Sequence, residues 1–134
     1  MAASLIGAGD PPPFEKLNEA GKASLLLICD HASHVIPEAL DNLGIAEETL
    51  RDHIGWDIGA AAVTRRLSQL LDAQALLAGY SRLLIDCNRP ADAPDLVPPF
   101  ADGRPVPGNQ GLSDGDIAVR RASFFDPYHT EVRA

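Results

Sequence analysis

The chain has 134 residues, 46% of them hydrophobic and 22% charged, which is the composition of one folded domain or of part of one. Its formal net charge of −8 argues against a nucleic-acid or anionic-membrane surface, since both need an excess of lysine and arginine. No stretch approaches the roughly 20 apolar residues that cross a bilayer, and the start lacks a signal-peptide pattern, so we expect a cytoplasmic protein.

The first 22 residues differ in composition from the rest of the chain. They carry glycines, prolines and charges without hydrophobic periodicity. This pattern is typical of an irregular arm on a protein surface. We therefore expect an arm at residues 1–22 and a domain at residues 23–134.

An aliphatic run at residues 24–28 predicts a buried β-strand, and the sequence CDHASH follows it directly. His31 and His34 thus lie at the carboxyl end of a strand, where ligands bind in open α/β sheets. Both are candidate metal ligands. The alternatives are a loop histidine bonded to a backbone carbonyl at His31, and a solvated neighbour of a helix cap at His34.

Helical and extended segments alternate further along the chain. Residues 36–45 and 46–54 are typical of short helices or turns, the first of them opened by Pro37. A longer helix is predicted to begin at Asp57, because apolar residues recur there about every 3.6 positions. Its apolar stripe comprises Ile58, Ala61, Ala62, Leu67, Leu70 and Leu71. Aliphatic runs predict further strands at residues 73–79 and 81–88.

Cys29 and Cys87 each end an aliphatic run. This placement favours reduced, buried thiols, whereas a disulfide would require the two predicted strands to be neighbours. Neither cysteine has an obvious activating partner, so cysteine catalysis is not expected.

The last third of the chain combines a long loop with a helix. Residues 90–112 contain six prolines, and a loop of that length in a compact domain usually lines or covers a site. Ser113 and Asp116 predict a capping box that begins a helix, which Pro127 would kink or interrupt. The helical pattern reaches Ala134 without a terminating signal, and strand material is scarce. We therefore expect the amino-terminal part of a longer protein.

Four stretches together, CDHASHVIP, HIGWDIGA, YSRLLIDCNRP and PVPGN followed by FFDPYH, resemble the N-formylglutamate amidohydrolase family. The resemblance implies an α/β fold: the truncated first part of a mixed-sheet, three-layer, phosphorylase/hydrolase-like domain similar to zinc carboxypeptidases and aspartoacylases. It also implies metal-dependent hydrolysis that releases formate from N-formyl-L-glutamate or a related N-acyl amino acid, as in histidine degradation.

The resemblance also implies roles for individual residues. His31 would be a catalytic residue and the first metal ligand, with His34 and His53 as further ligands of a divalent metal, expected to be zinc. Asp57 would be catalytic or orient a ligand. The alternative for His53 and Asp57 is a pair that caps the helix beginning at Asp57. The remaining ligand and the general base are expected beyond Ala134.

The run DCNR parallels a carboxylate-binding element of the carboxypeptidase group. Asn88 and Arg89 would bind a substrate carboxylate, since a guanidinium donates paired hydrogen bonds, and Asp86 would hold Arg89 in place. Arg82 would be a second cation for a dicarboxylate, with Arg120 a further candidate. The alternative for Arg82 and Arg120 is a surface ion pair.

Two other functions remain open at the level of sequence. One is a hydrolase of another acyl amino acid or peptide, and the other is a catalytically incomplete domain that binds carboxylates. All three functions share a small-molecule partner, with neither nucleic acid nor membrane involved.

Overall fold

The computed structural model of the protein describes residues 4–134 and contains a three-stranded mixed sheet. Its strands are β1 (Phe14–Leu17), β2 (Leu26–Cys29) and β3 (Gln74–Ala78). β3 lies in the middle, parallel to β2 and antiparallel to β1. In the register of the parallel pair, Leu27 lies opposite Ala75. The chain is thus a mixed α/β structure, as predicted.

Strand β1 corrects the prediction of an irregular arm. Residues 14–17 pair along their whole length with β3, and the half-buried Phe14 packs against the main core. A four-residue edge strand that follows three prolines is too short to leave a period-two pattern in the sequence. The rest of residues 4–22 lies outside helices and strands, as expected.

Four α-helices, two 3₁₀ turns, one π-helical turn and a small hairpin complete the described structure. The helices are α1 (Glu47–Leu50), α2 (Ala60–Leu71), α3 (Asp114–Arg120) and α4 (Asp126–Arg133). The 3₁₀ turns lie at Glu38–Gly44 and Pro107–Asn109, and the hairpin consists of β4 (Phe100–Ala101) and β5 (Arg104–Pro105). None of the helices within residues 4–134 has the length and apolar character needed to span a membrane.

Helix α2 begins three residues later than predicted, and a different side of it faces the sheet. Its amino-terminal cap is Gly59, whose φ of 86° lies in the left-handed region that favours glycine. Small and polar residues face the sheet, with Thr64 and Ser68 buried, while the larger Leu67 and Leu70 are exposed. Hydrophobic spacing predicts a helix, but it does not say which element will cover each face.

The predicted strand at residues 81–88 is wrong: this buried segment forms turns. Three of its backbone carbonyls accept hydrogen bonds from side chains later in the chain rather than from a neighbouring strand. Asn109 Nδ2 donates to the Leu83 carbonyl at 2.7 Å, and Arg120 Nη1 donates to the Leu84 carbonyl at 2.9 Å. We call residues 81–88 the buried turn segment.

The two faces of the sheet pack against different layers. Ala75 and Leu77 face α2, whereas Leu76 and Ala78 face the main core, because side chains alternate along a strand. That core also contains much of the buried turn segment and the aromatic residues of the last helices. Cys29 and Cys87 are both free and buried, as predicted.

The carboxyl-terminal helices confirm the predicted capping box. Ser113 Oγ accepts from the Asp116 N–H at 3.1 Å, and Asp116 Oδ2 accepts from the Ser113 N–H at 3.0 Å. A π-helical turn at Arg121–Phe125 separates α3 from α4. Pro127 lies in the first turn of α4 and has no N–H to donate to the turn before it, which accounts for the predicted interruption.

Candidate functional site

Four polar residues form a closed network beside the carboxyl end of β2. His31, only 7% exposed, lies between two carboxylates: its Nδ1 is 3.3 Å from Asp57 Oδ2 and its Nε2 is 2.6 Å from Asp86 Oδ1. Arg82 contacts the same two carboxylates, with Nη1 3.3 Å from Asp57 Oδ1 and Nη2 3.6 Å from Asp86 Oδ2. We call these four residues the His31 cluster.

Loops at the ends of the parallel strands position the cluster. His31 follows β2 by two residues, and its carbonyl accepts from the Asp57 N–H at 3.1 Å, which ties the loop before α2 to the end of β2. Arg82 and Asp86 belong to the buried turn segment that follows β3. The predicted location of His31 at a strand end is correct, and the parallel pairing of β2 and β3 explains why Arg82 and Asp86 lie near it.

Burial and hydrogen bonding have opposing effects on the pKa values of His31 and Asp86. The hydrogen bond with Asp86 raises the pKa of His31, against the opposing effect of burial. Burial alone would raise the pKa of Asp86, but the hydrogen bonds from His31 and from the Asn88 N–H outweigh it and lower that pKa. The two shifts favour a charged His31–Asp86 pair.

A cavity of about 350 Å³ adjoins the cluster on the side of Arg82 and Asp86. Arg89 also lines this cavity, but its Nε contacts Asp95 Oδ2 at 3.1 Å. The prediction that Asp86 holds the side chain of Arg89 is therefore wrong, because Asp86 contacts His31 and Arg82 instead. The proline-rich loop at residues 90–112 forms much of the cavity wall, as expected of a long loop, with Pro98, Phe100, Ala101 and Asp102 among the lining residues.

The other two predicted metal ligands, His34 and His53, contact residues other than His31. His34 packs edge-on against Trp56, with ring centroids 4.9 Å apart. His53 is exposed at the cavity rim, where Nδ1 is 3.2 Å from Asp52 Oδ1 and Nε2 is 3.4 Å from Asp102 Oδ2.

The structure therefore does not gather the three predicted histidines. Nowhere in residues 4–134 do three His, Cys, Asp or Glu side chains form a group that could hold a metal ion. The alternative in which His53 and Asp57 cap a helix is wrong, because α2 begins at Ala60 and the Asp57 carboxylate contacts His31 and Arg82.

The predicted substrate-binding residues separate into two groups. Arg82 and Arg89 line the same cavity, whereas Asn88 lines a neighbouring one beside His31 and Asp57. The contribution of Asn88 to the His31 cluster is its backbone N–H, which donates to Asp86 Oδ1 at 2.9 Å.

Arg120 is neither a substrate ligand nor part of a surface ion pair. It is buried, and it donates to Asn109 Oδ1 at 2.5 Å and to the Gly108 carbonyl at 3.1 Å, in addition to the Leu84 carbonyl. Burial lowers the pKa of its guanidinium to about 10. Its role is to order the buried turn segment and the loop before α3.

Sequence reasoning missed two contacts that shape the site. Asp86 was expected to support Arg89, yet it is the partner of His31. The feature of the sequence that could have indicated this is the lone carboxylate at the end of the apolar run LLID. Tyr128 in α4 is fully buried and donates to Asp30 Oδ1 at 2.5 Å, next to His31 in sequence. Only the tertiary fold brings these two residues together, because they lie 98 positions apart.

Comparisons with known proteins agree with this architecture. The sequence profile of the N-formylglutamate amidohydrolase family matches residues 23–134. A gene product from Agrobacterium tumefaciens, known from its crystal structure, aligns with 96% of this chain at a TM-score of 0.93 and 33% sequence identity. The alignment covers 51% of that protein, so the chain spans about half the length of this relative. A search of curated proteins found no match. Because the family profile covers every residue from 23 to the end, the chain belongs to the N-formylglutamate amidohydrolase family.

Proposed function

We propose that the chain supplies the substrate-anchoring and proton-transfer residues of a hydrolase that cleaves the amide bond of N-formyl-L-glutamate or a related N-acyl amino acid. One observation carries the proposal beyond the family name. Arg82 and Asp86 belong both to the His31 cluster and to the wall of the cavity that Arg89 also lines. A bound substrate in that cavity would therefore meet two cations and the histidine network together.

The two arginines suit a dicarboxylate substrate. Each guanidinium can donate paired hydrogen bonds to a carboxylate. Arg89 contacts Asp95, whose side chain is largely exposed, so a substrate carboxylate can replace that of Asp95 without leaving the arginine unpaired. Arg82 is held by Asp57 and Asp86 and has a more fixed position.

His31 is the proposed proton carrier. In amide hydrolysis, water adds to the formyl carbon, the carbon–nitrogen bond breaks, and the departing nitrogen takes up a proton, which gives formate and glutamate. Asp86 holds Nε2 of His31 in the buried side of the cluster, while Nδ1 faces the more exposed Asp57. We assign to Nδ1 of His31 and to Asp57 the proton that leaves the attacking water and is given to the departing nitrogen. Both side chains line the neighbouring cavity together with Asn88, so the amide bond of the substrate would extend toward that side of the cluster.

The family resemblance implies a divalent metal, and the described residues do not fit a complete metal centre. Both ring nitrogens of His31 contact carboxylates, and no three candidate ligands converge within residues 4–134. We therefore assign no step of the reaction to a metal in this chain. A zinc-dependent reaction, like the three-layer carboxypeptidase-type fold, would require polypeptide in addition to these residues.

The test of the proposed substrate uses Arg89→Lys in the complete enzyme. Lysine keeps the charge but loses the planar pair of donors, so kcat/KM for N-formylglutamate should fall by roughly ten- to a hundredfold. The α-amide of the substrate lacks one carboxylate, so Arg89→Lys should lower kcat/KM for the α-amide much less. Arg66→Lys on the exposed side of α2 is the matched control and should match wild type on both substrates.

Equal losses on both substrates would overturn this role for Arg89 and make it a structural partner of Asp95. Loss of folding is detected separately, by comparing the circular dichroism of the two variants. Normal folding with unchanged kcat/KM would also contradict the proposal.

A second candidate function is a carboxylate-binding domain without catalysis of its own. The lack of a three-ligand metal group in residues 4–134 favours it. Calorimetric titration of the complete protein with N-formylglutamate, followed by an assay for released formate, distinguishes the two: a hydrolase releases formate, whereas this second function predicts binding without formate.

A further inference from the structure

Two consecutive residues of α4, Tyr128 and His129, each bind a residue that is next to a member of the His31 cluster. The Tyr128 hydroxyl donates to Asp30 Oδ1 at 2.5 Å, and Asp30 directly precedes His31. His129 Nε2 donates to the Cys87 carbonyl at 2.8 Å. α4 thus contacts both the loop after β2 and the buried turn segment.

These two contacts lie on either side of the shortest hydrogen bond of the cluster. His31 Nε2 is 2.6 Å from Asp86 Oδ1, and Cys87 directly follows Asp86. A hydrogen bond weakens steeply when its distance and angles depart from their best values. Because α4 holds the residue beside each partner, it limits the movement of both partners.

Packing makes α4 a firm support for these contacts. The Tyr128 ring is fully buried in the main core, which also contains Phe124 and Phe125. The His129 ring contacts two of these rings, with centroids 4.4 Å from that of Phe125 and 5.3 Å from that of Tyr128. In a closely packed core, neither side chain can turn away without displacing its neighbours.

The π-helical turn at Arg121–Phe125 sets the direction in which Tyr128 points. Arg120 and Tyr128 are eight positions apart, which in an uninterrupted α-helix would place them about 80° apart around the axis. A π turn absorbs one extra residue, so the two side chains come within about 20° of each other. Arg120 and Tyr128 can therefore both face the interior, and π turns occur often at functional sites.

Both donors keep their protons at neutral pH. Burial and the hydrogen bond to Asp30 raise the pKa of Tyr128, so its hydroxyl remains a donor. A carbonyl can only accept, so Nε2 of His129 carries the proton in its contact with Cys87. The two contacts therefore have a fixed direction.

We propose that Tyr128 and His129 are positioning residues that fix the hydrogen bond between His31 and Asp86, each by holding the residue beside one partner. Neither needs to touch a substrate in this role. The effect on the geometry of the His31 cluster is independent of the proposed hydrolase activity. The effect on catalysis rests on that proposed function, because it assumes that His31 carries the proton.

The first test uses Tyr128→Phe in the complete protein, since phenylalanine keeps the buried ring and loses only the donor. The Nε2 proton of His31 is followed by NMR with 15N-labelled histidine, after dialysis against a chelator so that no metal ion competes for the ring, and His31→Gln identifies its signal. Exchange of this proton with water should become at least about tenfold faster. In the complete enzyme, kcat should fall by roughly ten- to a hundredfold with KM within about twofold of wild type.

Tyr80→Phe is the matched control. Tyr80 is buried in the same core, and its hydroxyl donates to the Pro11 carbonyl, outside the loops that carry the His31 cluster. This variant also loses one hydrogen bond of a buried tyrosine, so its melting temperature should fall to a similar extent. Its His31 signal and its kcat should match those of wild type.

His129 is tested with two variants in the same measurements. His129→Gln keeps an N–H donor near the position of Nε2, whereas His129→Phe keeps a ring and loses the donor. Exchange of the His31 proton should be at least about tenfold faster in His129→Phe and should stay within about threefold of wild type in His129→Gln. This pair decides the outcome if Tyr128→Phe does not fold.

An unchanged His31 signal in folded Tyr128→Phe and His129→Phe would overturn the proposal. Equal effects of Tyr80→Phe and Tyr128→Phe on that signal would also overturn it, because the loss would then reflect general destabilisation. Equal losses in the two His129 variants would remove the role of the His129 donor. Faster proton exchange with unchanged kcat would support the positioning role and contradict the assignment of His31 as the proton carrier.

Discussion

Asp86 is a buried carboxylate that faces three donors, one of which, His31, lies 55 positions away in the sequence. His31 Nε2 and the Asn88 N–H meet one of its oxygens, and Arg82 lies near the other. With His31 protonated, the His31 cluster holds two positive and two negative charges. Such internal neutrality allows charged groups to be buried, since each is paired and hydrogen-bonded.

We predict that the pair of His31 and Asp86 makes the stability of the metal-free chain depend on pH. The pKa of His31 is raised above 6.5 in the folded state. Its contribution to the free energy of unfolding is therefore complete below about pH 6.5 and is lost as the pH rises through the pKa of the folded state. The pKa of Asp86 is lowered below 3.8, so its contribution is present above that value and is lost as pH falls through the folded one.

The measurement is the free energy of unfolding of wild type and His31→Gln between about pH 5 and about pH 9. The advantage of wild type should be largest in the acidic part of this range and should shrink toward alkaline pH. A constant difference across the range would contradict the raised pKa. The control is Asp86→Asn, in which the pH dependence due to His31 should disappear.

A second residue-scale prediction concerns thiol reactivity. Burial raises the pKa of Cys87 to about 12 and also raises that of Cys29, so thiolate is scarce near pH 8. Iodoacetamide should modify neither cysteine in the native chain and both in denaturant, as counted by mass spectrometry. The exposed variant Gln69→Cys serves as the reactive reference, and stoichiometric native labelling of Cys87 would contradict the prediction.

At the scale of elements, the sequence predicted what depends on neighbouring residues. β2, β3 and the Ser113 capping box each have a local cause: a bounded aliphatic run or a cap with its reciprocal acid. The predictions for β1 and for the buried turn segment were wrong because the hydrogen-bond partners of both segments are distant in sequence. For α2, periodicity predicted the helix, but its sheet-facing side depends on the neighbouring strands.

The buried turn segment gives a prediction about Arg120. Arg120→Met leaves the Leu84 and Gly108 carbonyls and Asn109 Oδ1 without this donor, and unsatisfied buried groups cost about 1–3 kcal/mol each. We expect a loss of at least about 3 kcal/mol in the free energy of unfolding, measured with urea. Arg133→Met at the exposed end of α4 should change it by less than about 0.5 kcal/mol. Similar effects of the two changes would show that Arg120 does not order the turn.

At the scale of the whole molecule, the candidate site could be predicted in part. The family resemblance gave His31, Asp57 and Arg82 roles in one site, and the structure brings these three side chains together. No local feature of the sequence indicated that His34 and His53 would make their contacts away from His31. Their contacts with Trp56, Asp52 and Asp102 depend on how the loops fold over the sheet.

We predict that the chain by itself holds less than one equivalent of zinc. No three ligands converge within residues 4–134, and a site with fewer than three protein ligands binds zinc weakly. The measurement is the zinc content after loading and dialysis, by atomic emission. One full equivalent in wild type that disappears in His31→Ala would contradict the prediction and place a complete site within the chain.

The side chains that satisfy the buried turn segment also constrain the order of folding. Asn109 and Arg120 lie 26 and 36 residues after the carbonyls that they bind. During synthesis, the segment that carries Arg82 and Asp86 leaves the ribosome before its hydrogen-bond donors do, so it cannot become ordered until α3 has emerged. Contacts of such long sequence separation form late, after local helices and turns. The part of the chain that completes the His31 cluster is thus among the last to become ordered.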